Sequence, residues 1–206
     1  MTNTADRATA AAASGPPLVK ISRSTAEICA LYPVSPEANA ALEPDISPAA
    51  FIDRLCGAEL YVDAVRFLAH ALPPREAVWW ACLAARGALE PAPDQQAAVE
   101  AAEAWVYHPD EEHRRVAATA AAGLANDIPA RWAATAAAWS GGSLAPPEAP
   151  VVPPGPTLTA QAAGGAVLLA AVKTEPERAA ERHRIAIVQA LDIARGGTGR
   201  GTSLAG

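Results

Sequence analysis

Apolar residues along this chain return every three or four positions, the period of a helix buried on one face, and sustained strand-like alternation is absent. Across residues 59–72 the stripe is Leu60, Ala64, Phe67, Leu68 and Ala71, while Asp63, Arg66 and His70 share another side. The following segment, residues 74–88, is denser. Ala77, Trp80, Ala81 and Ala84 form one face, and Val78, Trp79, Cys82 and Leu83 form a second. Neighbouring residues point about 100° apart around a helix, so the two adjacent indoles diverge. Both directions are apolar, which predicts a helix buried nearly all round at the centre of the domain.

Helix-start residues set off the other elements. Ser24-Thr25-Ala26-Glu27 has the spacing of a capping box and opens a short helix to about Leu31. Ser35-Pro36 and Ser47-Pro48 each put a capping hydroxyl before a proline, whose missing N–H costs nothing in a first turn. These predict helices to about Leu42 and through Leu55. Asp94 is expected to cap a helix ending near His108, because Pro109 follows. Asp110-Glu111-Glu112 places acid where the helix dipole favours it, opening a helix with Val116, Ala120 and Leu124 inward. Ile128-Pro129 starts a shorter helix carrying Trp132 and Trp139. Residues 157–172 are expected to form an uncharged apolar helix buried in the core, since they are too short for a membrane span of about twenty residues. Thr174-Glu175-Pro176-Glu177 reads as a second capping box, opening a last helix with Ile185, Val188 and Leu191 inward. That helix stops at Gly196-Gly197.

Residues 141–156 are rich in proline yet carry Leu144, Val151 and Val152 and little charge. A free linker seldom has that composition, so an extended, polyproline-like strap across the domain is expected. The organisation that follows is all-α: one compact multi-helix domain over residues 21–196, of about eight or nine helices, with disordered tails at 1–20 and 197–206.

Composition sharpens this picture. Alanine is by far the commonest residue, against two phenylalanines and one methionine. Alanine loses no side-chain entropy in a helix and lets helices approach closely. The five tryptophans, Trp79, Trp80, Trp105, Trp132 and Trp139, then serve as core anchors filling the larger gaps. The formal charge of −6, with arginines flanked by glutamates, argues against a nucleic-acid partner. Cys29, Cys56 and Cys82 lie at no metal-like spacing within apolar stretches, which suits a reducing, cytoplasmic setting. The start of the chain has neither the basic region nor the heavy apolar core of a secretory leader. Neither membrane insertion nor a cofactor is expected.

The best polar constellation is Asp63, Arg66, His70, Arg75 and Glu76, disposed on either side of Leu72-Pro73-Pro74. A histidine beside a carboxylate can do acid–base work where a cleft admits substrate. The structural alternative is that these residues stitch the turn between two helices. His108 and His113 are separated by Pro109 and offer no helical metal spacing. The run Gly196-Gly-Thr-Gly-Arg-Gly201 follows a helix instead of opening one, so it reads as a tail and not a phosphate loop. No catalytic or metal-binding residue is assigned.

Three segments together carry a resemblance: Leu72-Pro-Pro-Arg-Glu-Ala-Val-Trp-Trp-Ala-Cys82, Trp139-Ser-Gly-Gly-Ser-Leu-Ala-Pro-Pro147 and Leu191-Asp-Ile-Ala-Arg-Gly196. Over about residues 20–197 the chain resembles a family of uncharacterised bacterial helical proteins, classed as a domain of unknown function. The resemblance implies an all-helical fold, a bacterial origin and an association with type VI secretion-like gene clusters. It attaches no functional residue.

The function expected is that of a non-enzymatic accessory or adaptor protein, working through contact with a protein partner, in a secretion-type assembly. The alternative is a small-molecule-binding helical protein or cryptic enzyme with a cleft near His70, Arg75 and Glu76. A pocket on which at least three of the five polar groups converge would favour the alternative. The oligomeric state is left open.

Overall fold

The computed structural model describes residues 16–90, 92–146 and 148–201. The first three helices are short and begin at serine: α1 (Thr25–Cys29), α2 (Pro36–Ala40) and α3 (Pro48–Gly57). Ser24, Ser35 and Ser47 each accept the N–H three residues on, and the Ser24–Glu27 capping box is complete. There follow α4 (Tyr61–Ala71), α5 (Pro74–Gly87), α6 (Pro93–Tyr107), α7 (Glu111–Ala122), α8 (Pro129–Ala138) and α9 (Leu158–Val172). After a 3₁₀ turn at Pro176–Arg178 comes α10 (Ala179–Ala194). The protein is thus all helical, with ten α-helices and no strand among the described residues. None of these helices is long and apolar enough to cross a membrane.

Helices α5, α8 and α9 pack against one another at the centre, with α4, α6, α7 and α10 around them. Small residues make this possible. Ala133, Ala134, Ala136 and Ala137 of α8 are fully buried. A Cβ at Gly164 of α9 would lie 3.2 Å from the Ala69 Cβ of α4, so glycine is what allows that crossing. The large filler is Trp80, fully buried on α5, whose indole N–H donates to the Ala186 carbonyl of α10 at 2.8 Å. Burying that N–H without an acceptor would cost free energy, so the bond fixes where α10 lies.

Several local expectations are corrected. The N-cap of α6 is Ala92, with Pro93 at the first helical position. Asp94 sits inside the first turn and accepts only the neighbouring Gln95 N–H. On α7 the inward face is Arg114, Ala117 and Ala121, leading to Leu124; Val116 is 53% exposed. Arg114 turns inward because two carbonyls await it there, at Ala138 and Ser143. On α10 the buried face is His183, Ala186, Ile187, Ala190 and Ile193, leaving Ile185, Val188 and Leu191 half-buried. The second capping box does not form. The Thr174 hydroxyl accepts from the Arg182 guanidinium, and Glu175 pairs with Arg178 and Arg182. Guanidinium donors give stronger bonds to these groups than a backbone amide would.

The proline-rich stretch is held at its start, where Arg114 and Arg115 donate to the carbonyls of Ser143 and Ala145. It then folds back on itself, with the Leu144 N–H donating to Val152 O at 2.8 Å. Leu144, Val151 and Val152 are exposed, so this is a pinned loop and not a straight strap buried on the domain. Residues 16–20 and 197–201, expected as parts of tails, lie against the domain: Lys20 N–H donates to Ala194 O, Arg195 reaches Pro16 O, and the Trp79 indole N–H donates to Thr198 O. Residues 1–15 and 202–206, the rest of the expected tails, lie outside the described residues.

Candidate functional site

The five polar residues singled out from sequence fall into two places. Asp63 and His70 are buried on α4, while Arg66 on the same helix is exposed. The His70 ring stacks on Tyr32, with centroids 4.5 Å apart. Its Nδ1 lies 2.8 Å from the Arg66 carbonyl. A carbonyl only accepts, so Nδ1 carries the hydrogen and donates. Burial pushes the His70 pKa down, against the opposing pull of that hydrogen bond. The ring is therefore neutral, and Nε2 is left as a buried lone pair without a partner, as is Asp63 Oδ1. Arg75 and Glu76 sit beyond the Leu72–Pro74 turn, in the first turn of α5 and in a different cleft. The clefts thus take these groups two at a time: Arg66 with His70, and Arg75 with Glu76.

The Arg75–Glu76 cleft encloses about 260 Å³ over the Trp79 indole. Arg75 Nε donates to Val106 O at 2.6 Å, and Lys20 pairs with Glu76 at 3.0 Å. One wall is the glycine run 196–201. Gly196 and Gly197 close α10 by donating to Ile193 O and Asp192 O, the paired bonds of a Schellman end. The run then crosses the indole: Trp79 Nε1 donates to Thr198 O at 2.7 Å, and Asp192 Oδ2 accepts Gly199 N–H at 2.8 Å. The Arg200 guanidinium lies 4.6 Å over the Trp79 ring. Gly199 has φ +69°, and a Cβ there would lie 2.8 Å from Leu83 Cδ1, so this position demands glycine. The segment read from sequence as a tail is therefore a fitted loop.

A second, larger feature went unread. Along the outer face of α9 runs an apolar groove of about 730 Å³. Trp132 and Trp139, edge to face at 6.4 Å, stand on one side, and Val62 and His183 line it as well. Gln161, Gly165 and Leu168 continue into the adjoining cleft by Tyr32 and Arg66. A Cβ at Gly165 would meet nothing within 4 Å. The sequence did carry a sign of this groove: α9 has no charged residue on any face, yet part of it must lie at the surface. Of the predicted core tryptophans, Trp80 and Trp105 are buried, while Trp79, Trp132 and Trp139 are half-buried beside these two clefts.

Among the described residues no group of three or more His, Cys, Asp or Glu side chains is placed to hold a metal ion. The Cys82 thiol is fully buried, and burial drives its pKa up, away from the thiolate a nucleophile needs.

A model of the family described as a family of unknown function (DUF6931) matches residues 51–194. No curated protein matches the chain, and no solved structure does.

Proposed function

We propose that this chain, which belongs to the DUF6931 family of unknown function, is a non-enzymatic adaptor that seats an apolar helical segment of a partner protein along α9. The observation that carries the reading is Gly165. A glycine inside a helix costs about 1 kcal/mol relative to alanine, and no internal neighbour requires it here. Its use is to let something approach the outer face of α9 closely, as small residues do between packed helices. The groove runs beside a helix of 15 residues, a length of about 22 Å, which suits about four turns of a partner helix. The tryptophans beside it are the residue type most enriched at binding hot spots. Exposed Arg66 at one mouth supplies a cation with which an acidic residue of such a segment can pair.

The setting we propose is the bacterial cytoplasm, beside a secretion-type assembly, on the strength of the three motif segments. The enzymatic or small-molecule alternative near His70, Arg75 and Glu76 draws less support, because those groups do not converge on one cleft.

The test is affinity purification of the full chain at its natural level, with partners identified by mass spectrometry and then rebound as purified proteins. A stoichiometric partner is expected to be lost with Gly165→Phe and with Leu168→Glu, at unchanged melting temperature. A partner indifferent to both groove substitutions, or none at all, overturns the reading. Light scattering separates the remaining case, in which a second copy of this chain fills the groove.

A further inference from the structure

We infer that the cleft over Trp79 is a binding site for a carboxylate carried on a small apolar or aromatic group, distinct from the α9 groove. Its walls come from four separate parts of the chain: the segment at Lys20, the first turn of α5, the end of α6 and the loop 196–200. Of the charged groups lining it, Lys20 and Glu76 neutralise each other at 3.0 Å. That leaves the two guanidinium groups of Arg75 and Arg200 as a local excess of positive charge on a chain whose net charge is −6.

Both guanidinium groups are fixed while keeping donors available. Arg75 uses Nε on the Val106 carbonyl, and among the described residues its terminal nitrogens have no acceptor. Arg200 lies with one face on the Trp79 ring, and its N–H edge likewise has no acceptor among the described residues. A planar guanidinium held this way presents paired N–H donors that match a carboxylate. Asp192, the carboxylate behind the loop, is engaged with the Gly199 N–H.

The remainder of the lining is apolar: Trp79, Tyr107, Val106 and Ile193. Trp79 and Tyr107 meet edge to face at 6.2 Å and offer an apolar corner to a ligand's substituent. At about 260 Å³ the cleft suits a small acid or the last residue of a chain, and not an extended cofactor. The loop is bound over Trp79 by three independent interactions, so the site exists before any ligand arrives, which lowers the cost of ordering it. Gly196 and Gly199, both at positive φ, give the backbone the turns that bring Arg200 onto the indole.

Two sources offer this chemistry, a free organic acid and the C-terminal carboxylate of a peptide. The experiment titrates the full chain with 3-phenylpropionate, with 3-phenylpropionamide, with acetyl-Ala-Ala-Leu bearing a free carboxylate, with its C-terminal amide, and with inorganic phosphate. Binding is read by calorimetry and by the Trp79 indole N–H resonance. At least one acid is expected to bind and move that resonance, with its amide at least about tenfold weaker, the scale of a lost charge-assisted hydrogen bond. Arg75→Gln and Arg200→Gln, both on exposed residues, are each expected to weaken the acid by a similar factor. Binding of 3-phenylpropionate assigns a free acid as sufficient, and binding of the peptide acid alone assigns a chain terminus. Equal binding of acid and amide, indifference to both arginine variants, binding of phosphate alone, or no binding at millimolar concentration overturns the inference.

Discussion

Arg114 and Glu111, one turn apart on α7, are joined by two hydrogen bonds of 2.6 and 2.7 Å, and the same guanidinium donates to Ala138 O and Ser143 O. Arg114 is only 4% exposed, so it ties α7 to the end of α8 and to the start of the proline-rich loop from within. Replacing it with alanine leaves buried carbonyls without donors and is expected to cost about 2–4 kcal/mol. Urea unfolding of Arg114→Ala checks this, with Arg114→Lys recovering only part because lysine lacks the fork. A loss below about 0.5 kcal/mol would show that the tie carries no weight.

Glu111 makes the same tie sensitive to acid. Hydrogen bonds from Arg114, then Arg115, hold its pKa down to about 2. A folded-state pKa below the unfolded value means that the contribution is fully present above about 4.5 and is lost as pH falls towards 2. Glu111→Gln should flatten the acid limb of the stability curve in that window and leave its neutral portion parallel to wild type. An unchanged acid limb would show that other carboxylates dominate it.

His70 and His183 act at higher pH. Burial lowers both pKa values, and each Nε2 is buried without a partner. The fold holds these rings neutral, so the stability they support is present above about 6.5 and declines as pH falls below it, where the unfolded chain takes up protons first. His183→Leu, which removes a buried polar edge, should reduce the drop in urea midpoint between neutral and mildly acidic buffer. An identical drop in wild type and variant would rule this histidine out as a source.

The adjacent tryptophans should behave differently. Trp80→Phe leaves a void and removes the indole bond that ties α5 to α10 in the centre of the domain, and a loss of about 2–4 kcal/mol is expected. Trp79→Phe removes a bond to Thr198 O at the surface, so its main effect should be faster hydrogen exchange confined to residues 196–201, with a global loss of about 1 kcal/mol. Equal global losses would contradict the assignment of Trp79 to a surface loop.

Two glycines give opposite expectations. Gly165→Ala meets nothing within 4 Å inside a helix and should stabilise by about 0.5–1 kcal/mol. Gly199→Ala combines a positive φ with a Cβ 2.8 Å from Leu83 Cδ1, and should destabilise by about 1–3 kcal/mol while freeing the loop from Trp79. Thermal unfolding of the pair decides it; equal shifts would mean that the two backbones are under the same constraint.

Much of the fold was legible because its punctuation is local. Ser24, Ser35 and Ser47 cap helices with hydrogen bonds spanning three residues, and the glycine pair 196–197 closes α10 within one turn. Such chemistry needs no knowledge of the rest of the chain. Thr174 and Glu175 misled for the opposite reason: Arg178 and Arg182 compete for the oxygens that a capping box would use. The candidate sites were harder to read. Asp63 and His70 are both buried on α4 together with the apolar stripe, and nothing in sequence shows that Arg75 turns to Val106 O, 31 residues on.

Alanine content, capping hydroxyls and prolines act over one turn of backbone, so that this chain is helical, and where most of its helices begin and end, follows from local chemistry alone. Tertiary structure decided which faces went inside. On an alanine-rich helix no face buries much more apolar area than its neighbour, so the pattern leaves the rotation open, and the inward turn of Arg114 on α7 was settled by carbonyls 24 and 29 residues away in the chain. The same physics made the sites: the groove beside Gly165 and the loop over Trp79 exist only where helices distant in sequence meet.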